Sequence, residues 1–213
     1  MARNLAPGRR APLPASIRDR YFPPGGGKWI REGVGDDGSC FFHSLARILN
    51  FCNYDGETAR NRIRLGHNLR RLLRSKVTPE TWVDFWRRSG VKAKTVPSAA
   101  DIRKRMKNPT QWADVYMISW IMDHLDLSLY FFDTTNGRVY CGVRNAACGA
   151  AADRCDAGLI LWLNHAHFEP IGTYPRRGAR ATFKFAGDDP VVDYVDRRYE
   201  RDGCARLSLR DIT

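Results

Sequence analysis

Gly35-Asp36-Asp37-Gly38-Ser39-Cys40-Phe41-Phe42-His43-Ser44-Leu45-Ala46 is the stretch on which the reading of this chain turns. A glycine-flanked acidic turn delivers a cysteine to the start of an apolar-periodic segment. Phe42, Leu45, Ala46 and Leu49 fall on one helical face, so the spacing predicts a helix with Cys40 at its N-terminus. Unpaired backbone N–H groups and the positive end of the helix dipole favour an anion there, and a thiol so placed tends to lose its proton. The same stretch equally describes a buried structural cysteine opening a core helix, since cysteine is among the most buried residue types.

Composition narrows the class. A chain of 213 residues with 43% hydrophobic residues and six tryptophans is long enough for one well-cored domain. Its charged fraction of 27% and mean hydropathy of −0.47 fit a soluble protein. No apolar run approaches the roughly 18 residues of a membrane span, and no apolar core follows the basic N-terminus as in a secretory signal. The six cysteines, at 40, 52, 141, 148, 155 and 204, contain no Cys-x-x-Cys pair, which suits a reducing compartment. Cys141, Cys148 and Cys155 recur every seven residues, but no fourth ligand accompanies them, so neither a metal nor another cofactor is expected. The net charge of +12, with 28 of 35 basic residues arginine, leaves nucleic acid open as a partner of an Arg-rich surface.

Residues 1–27, rich in proline and glycine and ending Pro23-Pro24-Gly25-Gly26-Gly27, read as a disordered tail. After the Cys40 helix, Ile63, Leu65, Leu69, Leu72 and Leu73 describe a second helix whose other, arginine-rich face reads as its solvated side. Thr78-Pro79 opens an aromatic helix carrying Trp82, Phe85 and Trp86. A basic helix follows Ser98, and Thr110 is read as the cap of an apolar helix over residues 111–125. Beyond Asp126 the period becomes strand-like: Leu127-Ser128-Leu129-Tyr130-Phe131-Phe132, an Asn136-Gly137 turn, a strand from Arg138, a small-residue loop over 145–157, a strand at 159–163 and another from His167 to Ile171. Helices first and strands later predict an α+β fold, helices packed on a small, mostly antiparallel sheet. Residues 173–213, with short strands at 182–185 and 191–195, read as a loosely attached C-terminal extension of unreadable role.

A cysteine nucleophile needs a base, a group to orient that base, and donors for the oxyanion. His43, His67 and His124 lie on helices, whereas His165 and His167 lie where two late strands join, at a sheet end that can face a helix N-terminus. His167 has Glu169 two residues on, and positions i and i+2 of a strand share a face, so a carboxylate there can fix the imidazole tautomer.

Three segments together resemble one family. Asp37-Gly38-Ser39-Cys40-Phe41-Phe42 resembles the nucleophile motif of the ovarian tumour (OTU) cysteine proteases, Asp-Gly-x-Cys followed by an aromatic or aliphatic pair. Trp112-Ala113-Asp114, leading into an apolar helix and strand, resembles the family's central Trp-Gly/Ala-Asp unit, and His167-Phe168-Glu169 its late His-aromatic-acid/amide motif. The resemblance covers roughly residues 28–172 and implies a papain-like OTU protease domain. It implies Cys40 as nucleophile, His167 as general base, Glu169 as its orienting group, and Asp37 as the residue that orders the oxyanion loop of Gly38 and Ser39. The family more often has Asp or Asn where this chain has Glu169, which keeps Asn164 and Asp36 in view as substitutes. Trp112 reads as core packing. The activity implied is hydrolysis of the isopeptide bond between ubiquitin, or a ubiquitin-like modifier, and lysine through a thioester, in the cytoplasm, or the host cytoplasm for a viral or effector protein. The competing reading is a basic nucleic-acid-binding module with a vestigial OTU-like site.

Overall fold

A computed structural model describes residues 3–25, 27–89, 96–142, 155–174 and 179–201. The sheet is built from β1 (Arg10–Pro12), β2 (Lys28–Glu32), β3 (Leu127–Asp133), β4 (Val139–Gly142), β5 (Asp156–Leu163), β6 (His167–Tyr174) and β7 (Lys184–Phe185). Its order is β1-β2-β6-β5-β3-β4, with β7 paired to the start of β5. All pairings are antiparallel except β3 with β5, which run parallel in the register Leu127↔Asp156 to Asp133↔Trp162. The Asn136-Gly137 turn joins β3 to β4, as its sequence signal requires. Most of the small-residue loop, with Cys148, lies outside the described residues.

Because side chains alternate across a strand, the apolar runs of β3 and β5 present apolar residues to both faces, and each face needs cover. Leu127, Leu129, Phe131 and Ile160 look toward one core, shared with Phe41, Phe42, Leu45, Leu69, Trp82, Ile102, Ile118 and Ile121. That layer comprises α2 (Cys40–Ile48), α3 (Ala59–Lys76), α4 (Pro79–Ser89), α5 (Ala99–Lys107) and α6 (Val115–Leu125). Tyr130, Phe132, Leu159, Leu161 and Leu163 look the other way, into a second core with Leu13, Ile17, Tyr21, Phe22, Phe185, Val192 and Val195. Its helices are α1 (Ala15–Tyr21) and α7 (Pro190–Arg201).

This second layer corrects two expectations. Residues 1–27 do not form a disordered tail: β1 pairs with β2, α1 is anchored by Ile17 and Tyr21, and the Tyr21 hydroxyl donates to the Gly137 carbonyl at 2.7 Å. Nor do the residues beyond 173 form a loose extension. β6 runs on to Tyr174, the segment read as a strand at 191–195 is helical, and the Tyr130 hydroxyl donates to Asp196 of α7. The apolar periodicity of Val191, Val192 and Val195 fits one helical face as well as a strand, and the open face of the sheet decides between them. Residues 202–213 lie outside the described part.

Helix starts follow local chemistry. Thr58 caps α3 by accepting from Asn61 N–H, Ser98 and Asp101 form a capping box on α5, and Asp114, not Thr110, caps α6 by accepting from Met117 N–H. Helix α2 differs, because its N-cap residue Ser39 makes no side-chain bond to the helix.

Candidate active site

Cys40 opens α2 and His167 opens β6, and each is followed by a phenylalanine that docks the two elements. The rings of Phe41 and Phe168 meet edge to face at 6.1 Å, and both pack on Phe131 of β3. Ser44 Oγ donates to the Phe168 carbonyl at 3.1 Å. Burying each ring contributes about 1.5–3 kcal/mol, so the helix start is fastened to the strand start by the residues adjoining the reactive ones. The Phe168 N–H, next in the chain to His167, favours the ionised Cys40 sulfur.

Both reactive groups are almost sealed, Cys40 at 3% and His167 at 1% exposure. Burial pushes the Cys40 thiol up to about 11, against the Phe168 and Phe41 N–H groups, and the charges of Asp36 and Asp37 add to the rise. Burial thus opposes the ionisation that a helix terminus favours. Burial likewise holds His167 below the ordinary imidazole value of 6.5, although Asp36 works in the opposite sense.

His167 lies between two carboxylates. Its Nδ1 is 3.4 Å from Asp36 Oδ1 and its Nε2 is 3.8 Å from Glu169 Oε1, and neither nitrogen makes a hydrogen bond. Glu169 is fully buried and already engaged, accepting from Arg31 Nη1 at 2.7 Å and from the Leu5 N–H at 2.7 Å. Burial raises its carboxyl above the usual value, and these two donors restrain the rise. Catalytic hydrogen bonds are often long before substrate binds, so Glu169 and Asp36 both stand within a small ring movement of the imidazole. Asn164 and His165 occupy the exposed turn before β6; Asn164 N–H meets Thr134 Oγ1, and His165 lies 3.4 Å from Asp133.

The loop before Cys40 is built by Asp37 and a residue the sequence reading put on a wet face. Asp37 accepts from Ser39 N–H at 3.0 Å and from His43 Nε2 at 3.0 Å, and its other oxygen lies 2.9 Å from His67 Nε2. Burial works to raise its carboxyl, but these partners overcome it and hold it at about 2. Arg70 is buried within α3. It donates to Ser39 Oγ at 2.8 Å and to the carbonyls of Gly38, Arg105, Met106, Asn108, Pro109 and Gln111, and its guanidinium lies 4.8 Å from the Phe42 ring centre. Ser39 Oγ itself donates to the Pro109 carbonyl. The serine hydroxyl is thus turned away from α2 and leaves the helix's first N–H groups without a side-chain cap, at the place where an oxyanion would form. Gly38, at φ +79°, presses against Thr110, where a Cβ would come within 2.6 Å of the backbone. Position 70 is one turn beyond Gly66 and one turn before Leu73, both buried, and that spacing was the available signal that this arginine faces inward.

Asp37, His43 and His67 present ligand atoms within 4.8 Å of one another, close enough in principle for a divalent cation. The setting of His43 does not fit one. Its Nδ1 would be 1.9 Å from a Cβ on Gly66 and has no hydrogen-bond partner. A metal on Nε2 would leave a proton on that buried nitrogen facing the Gly66 backbone, without the acceptor a ligating histidine ordinarily has. The geometry suits an imidazole donating from Nε2 to Asp37. Trp112, read as core packing, is instead 45% exposed, two residues beyond the Thr110 contact with Gly38.

No family model and no curated protein sequence matches the chain. Among solved structures, an ovarian tumor (OTU) domain in complex with ubiquitin aligns with 97% of this chain and 95% of its own at a TM-score of 0.52 and 17% identity. The Hazara virus OTU bound to ubiquitin aligns with 68% of this chain and 82% of its own, at 0.47 and 17%, and an OTU deubiquitinase from Wolbachia pipientis wMel with 70% and 90%, at 0.42 and 17%. The chain has the OTU fold, an α+β architecture.

Proposed function

We propose that the protein is a cysteine isopeptidase that releases ubiquitin, or a ubiquitin-like modifier, from lysine. The observation that carries this reading is the docking of the Cys40 helix start onto the His167 strand start, with Asp36 and Glu169 flanking the imidazole, inside an OTU fold. The proton of Cys40 passes to His167 as sulfur attacks the carbonyl carbon of the modifier's C-terminal glycine. The oxyanion meets the uncapped N–H groups of α2. His167 then gives its proton to the lysine nitrogen, the C–N bond breaks, and the modifier remains as a thioester. Water, deprotonated by His167, attacks that thioester; the C–S bond breaks and the thiol recovers its proton. Asp36 and Glu169 stabilise the imidazolium between the two transfers.

A reducing, cytoplasmic site of action accords with the free thiols of Cys40 and Cys52. Among the described residues no helix is long and apolar enough to cross a membrane. Nucleic acid draws no support from the comparisons, and Arg31, Arg47 and Arg70 are buried in internal contacts, so part of the positive charge that suggested it does not reach the surface.

A ubiquitin bearing a C-terminal electrophile tests the reading. The wild type is expected to form a covalent adduct and Cys40→Ala none; an adduct on Cys52, or an equal adduct in Cys40→Ala, would overturn the assignment.

A further inference from the structure

The N-terminal segment touches both carboxylates around His167. Asn4 Nδ2 donates to Asp36 Oδ2 at 3.0 Å, Leu5 N–H donates to Glu169 Oε1 at 2.7 Å, and the Arg3 carbonyl accepts from Arg31 Nη2 at 3.0 Å, the same arginine whose Nη1 holds Glu169. The segment is seated where Gly33 leaves room: a Cβ there would lie 2.3 Å from the Ala6 carbonyl, while Gly8 N–H donates to the Gly33 carbonyl and Gly33 N–H to the Arg9 carbonyl, each at 2.8 Å. From there the chain enters β1, paired to β2. The residues that the sequence marked as a tail thus form a strap crossing from the sheet edge to the base of the imidazole.

We propose that this strap is a positioning element of the active site, acting through the Leu5 amide on Glu169. Both oxygens of Glu169 have a donor, Oε2 from Arg31 and Oε1 from Leu5, and Oε1 is also the oxygen facing His167 Nε2. A carboxylate buried in an apolar setting stays ionised only if such donors replace lost water. Without the Leu5 N–H, Arg31 alone opposes protonation, and a protonated Glu169 no longer stabilises the imidazolium. On the Nδ1 side, Asn4 holds the carboxylate of Asp36 in place by its hydrogen bond. The groups facing this cluster from neighbouring elements are Arg31 of β2, Asp36 and Asp37 of the loop, and His43 of α2.

The proposal rests on the isopeptidase reading for its kinetic consequence but not for its test. Leu5→Pro deletes the amide hydrogen, while Leu5→Ala keeps it and removes only the side chain. In the full chain, the Glu169 carboxyl is followed by carbon-13 NMR across pH, with thermal unfolding as a check on folding. The Glu169 titration is expected to move upward in Leu5→Pro and to stay with the wild type in Leu5→Ala. On a fluorogenic ubiquitin substrate, Leu5→Pro should lose about tenfold in kcat below neutral pH and recover as pH rises, with KM little changed, the size expected from one hydrogen bond to a charged group. Coincident titrations in the three proteins, or an equal loss in Leu5→Ala, would overturn the strap. An inactive wild type with a shifted Leu5→Pro titration would instead overturn the isopeptidase reading and leave the strap standing.

Discussion

Asp36 carries opposite consequences for Cys40 and His167, the two members of the proposed catalytic pair. Its charge beside Nδ1 favours the protonated form of His167, and the same charge disfavours the thiolate of Cys40. Neutralising it should lower both titrations. A base must be deprotonated to act, so the acid limb of kcat/KM is expected to move down in Asp36→Asn. Alkylation of Cys40 should begin at lower pH for the same reason. Profiles of kcat/KM and of iodoacetamide reactivity against pH measure the two shifts, and a limb that moves upward would mean that Asp36 acts through loop structure and not through charge. The residues of this site were readable as types and spacings: Cys40 at a helix start, and His167 with Glu169 on one strand face. Their ionisation was not, because it depends on how completely the fold removes water from them, and burial opposes the tendency of the helix dipole at Cys40.

At the scale of elements, α2 and α3 approach each other through Gly66, over which the His43 ring lies. A Cβ at that position would sit 1.9 Å from Nδ1, so Gly66→Ala must displace His43, and with it a donor to Asp37. Alanine improves helix propensity by about 1 kcal/mol, but overpacking of this kind costs about 1–3 kcal/mol, and the displacement also loosens the loop before Cys40. The expected result is a net loss of stability in denaturant unfolding together with a fall in kcat; a stabilised, fully active variant would show that His43 has room to move. Sequence periodicity located α2, α3 and the strands but could not reveal this contact, since glycine in a helix pattern carries no sign of what packs over it. Arg70 was misread for a related reason: a helix rich in arginine looks uniformly wet, and only the loop carbonyls stacked against one turn show that this guanidinium faces inward.

On the scale of the whole molecule, buried Glu32 gathers Arg10 of β1, Arg47 of α2 and Arg62 of α3, and Arg47 in turn lies 3.8 Å from the ring centre of Phe183, just before β7. One carboxylate thereby ties the strap end, the nucleophile helix and the C-terminal segment together. Ending the chain at Tyr174 would remove Phe183, Phe185, Val192 and Val195 and open the second core to water. Such a truncation is expected to aggregate or to lose its cooperative thermal transition, with inactivity as a consequence of unfolding; a monomeric, active 1–174 fragment would show that the second layer is dispensable.

The sequence by itself determined the helices-then-strands order between residues 40 and 174, the start of α2 at Cys40, the Asn136-Gly137 turn and the placing of a late histidine and an acid on one strand, because those depend on local spacing, turn chemistry and side-chain period. Only the tertiary structure decided that residues 3–22 and 183–198 belong to the packed body, that Arg31 and Arg70 are internal, that Trp112 is exposed, and that Cys40 and His167 are buried. These outcomes depend on which face of the sheet remains uncovered, where carbonyls converge and how far water is excluded. Such quantities arise between segments distant in the chain, and no window along the sequence contains them.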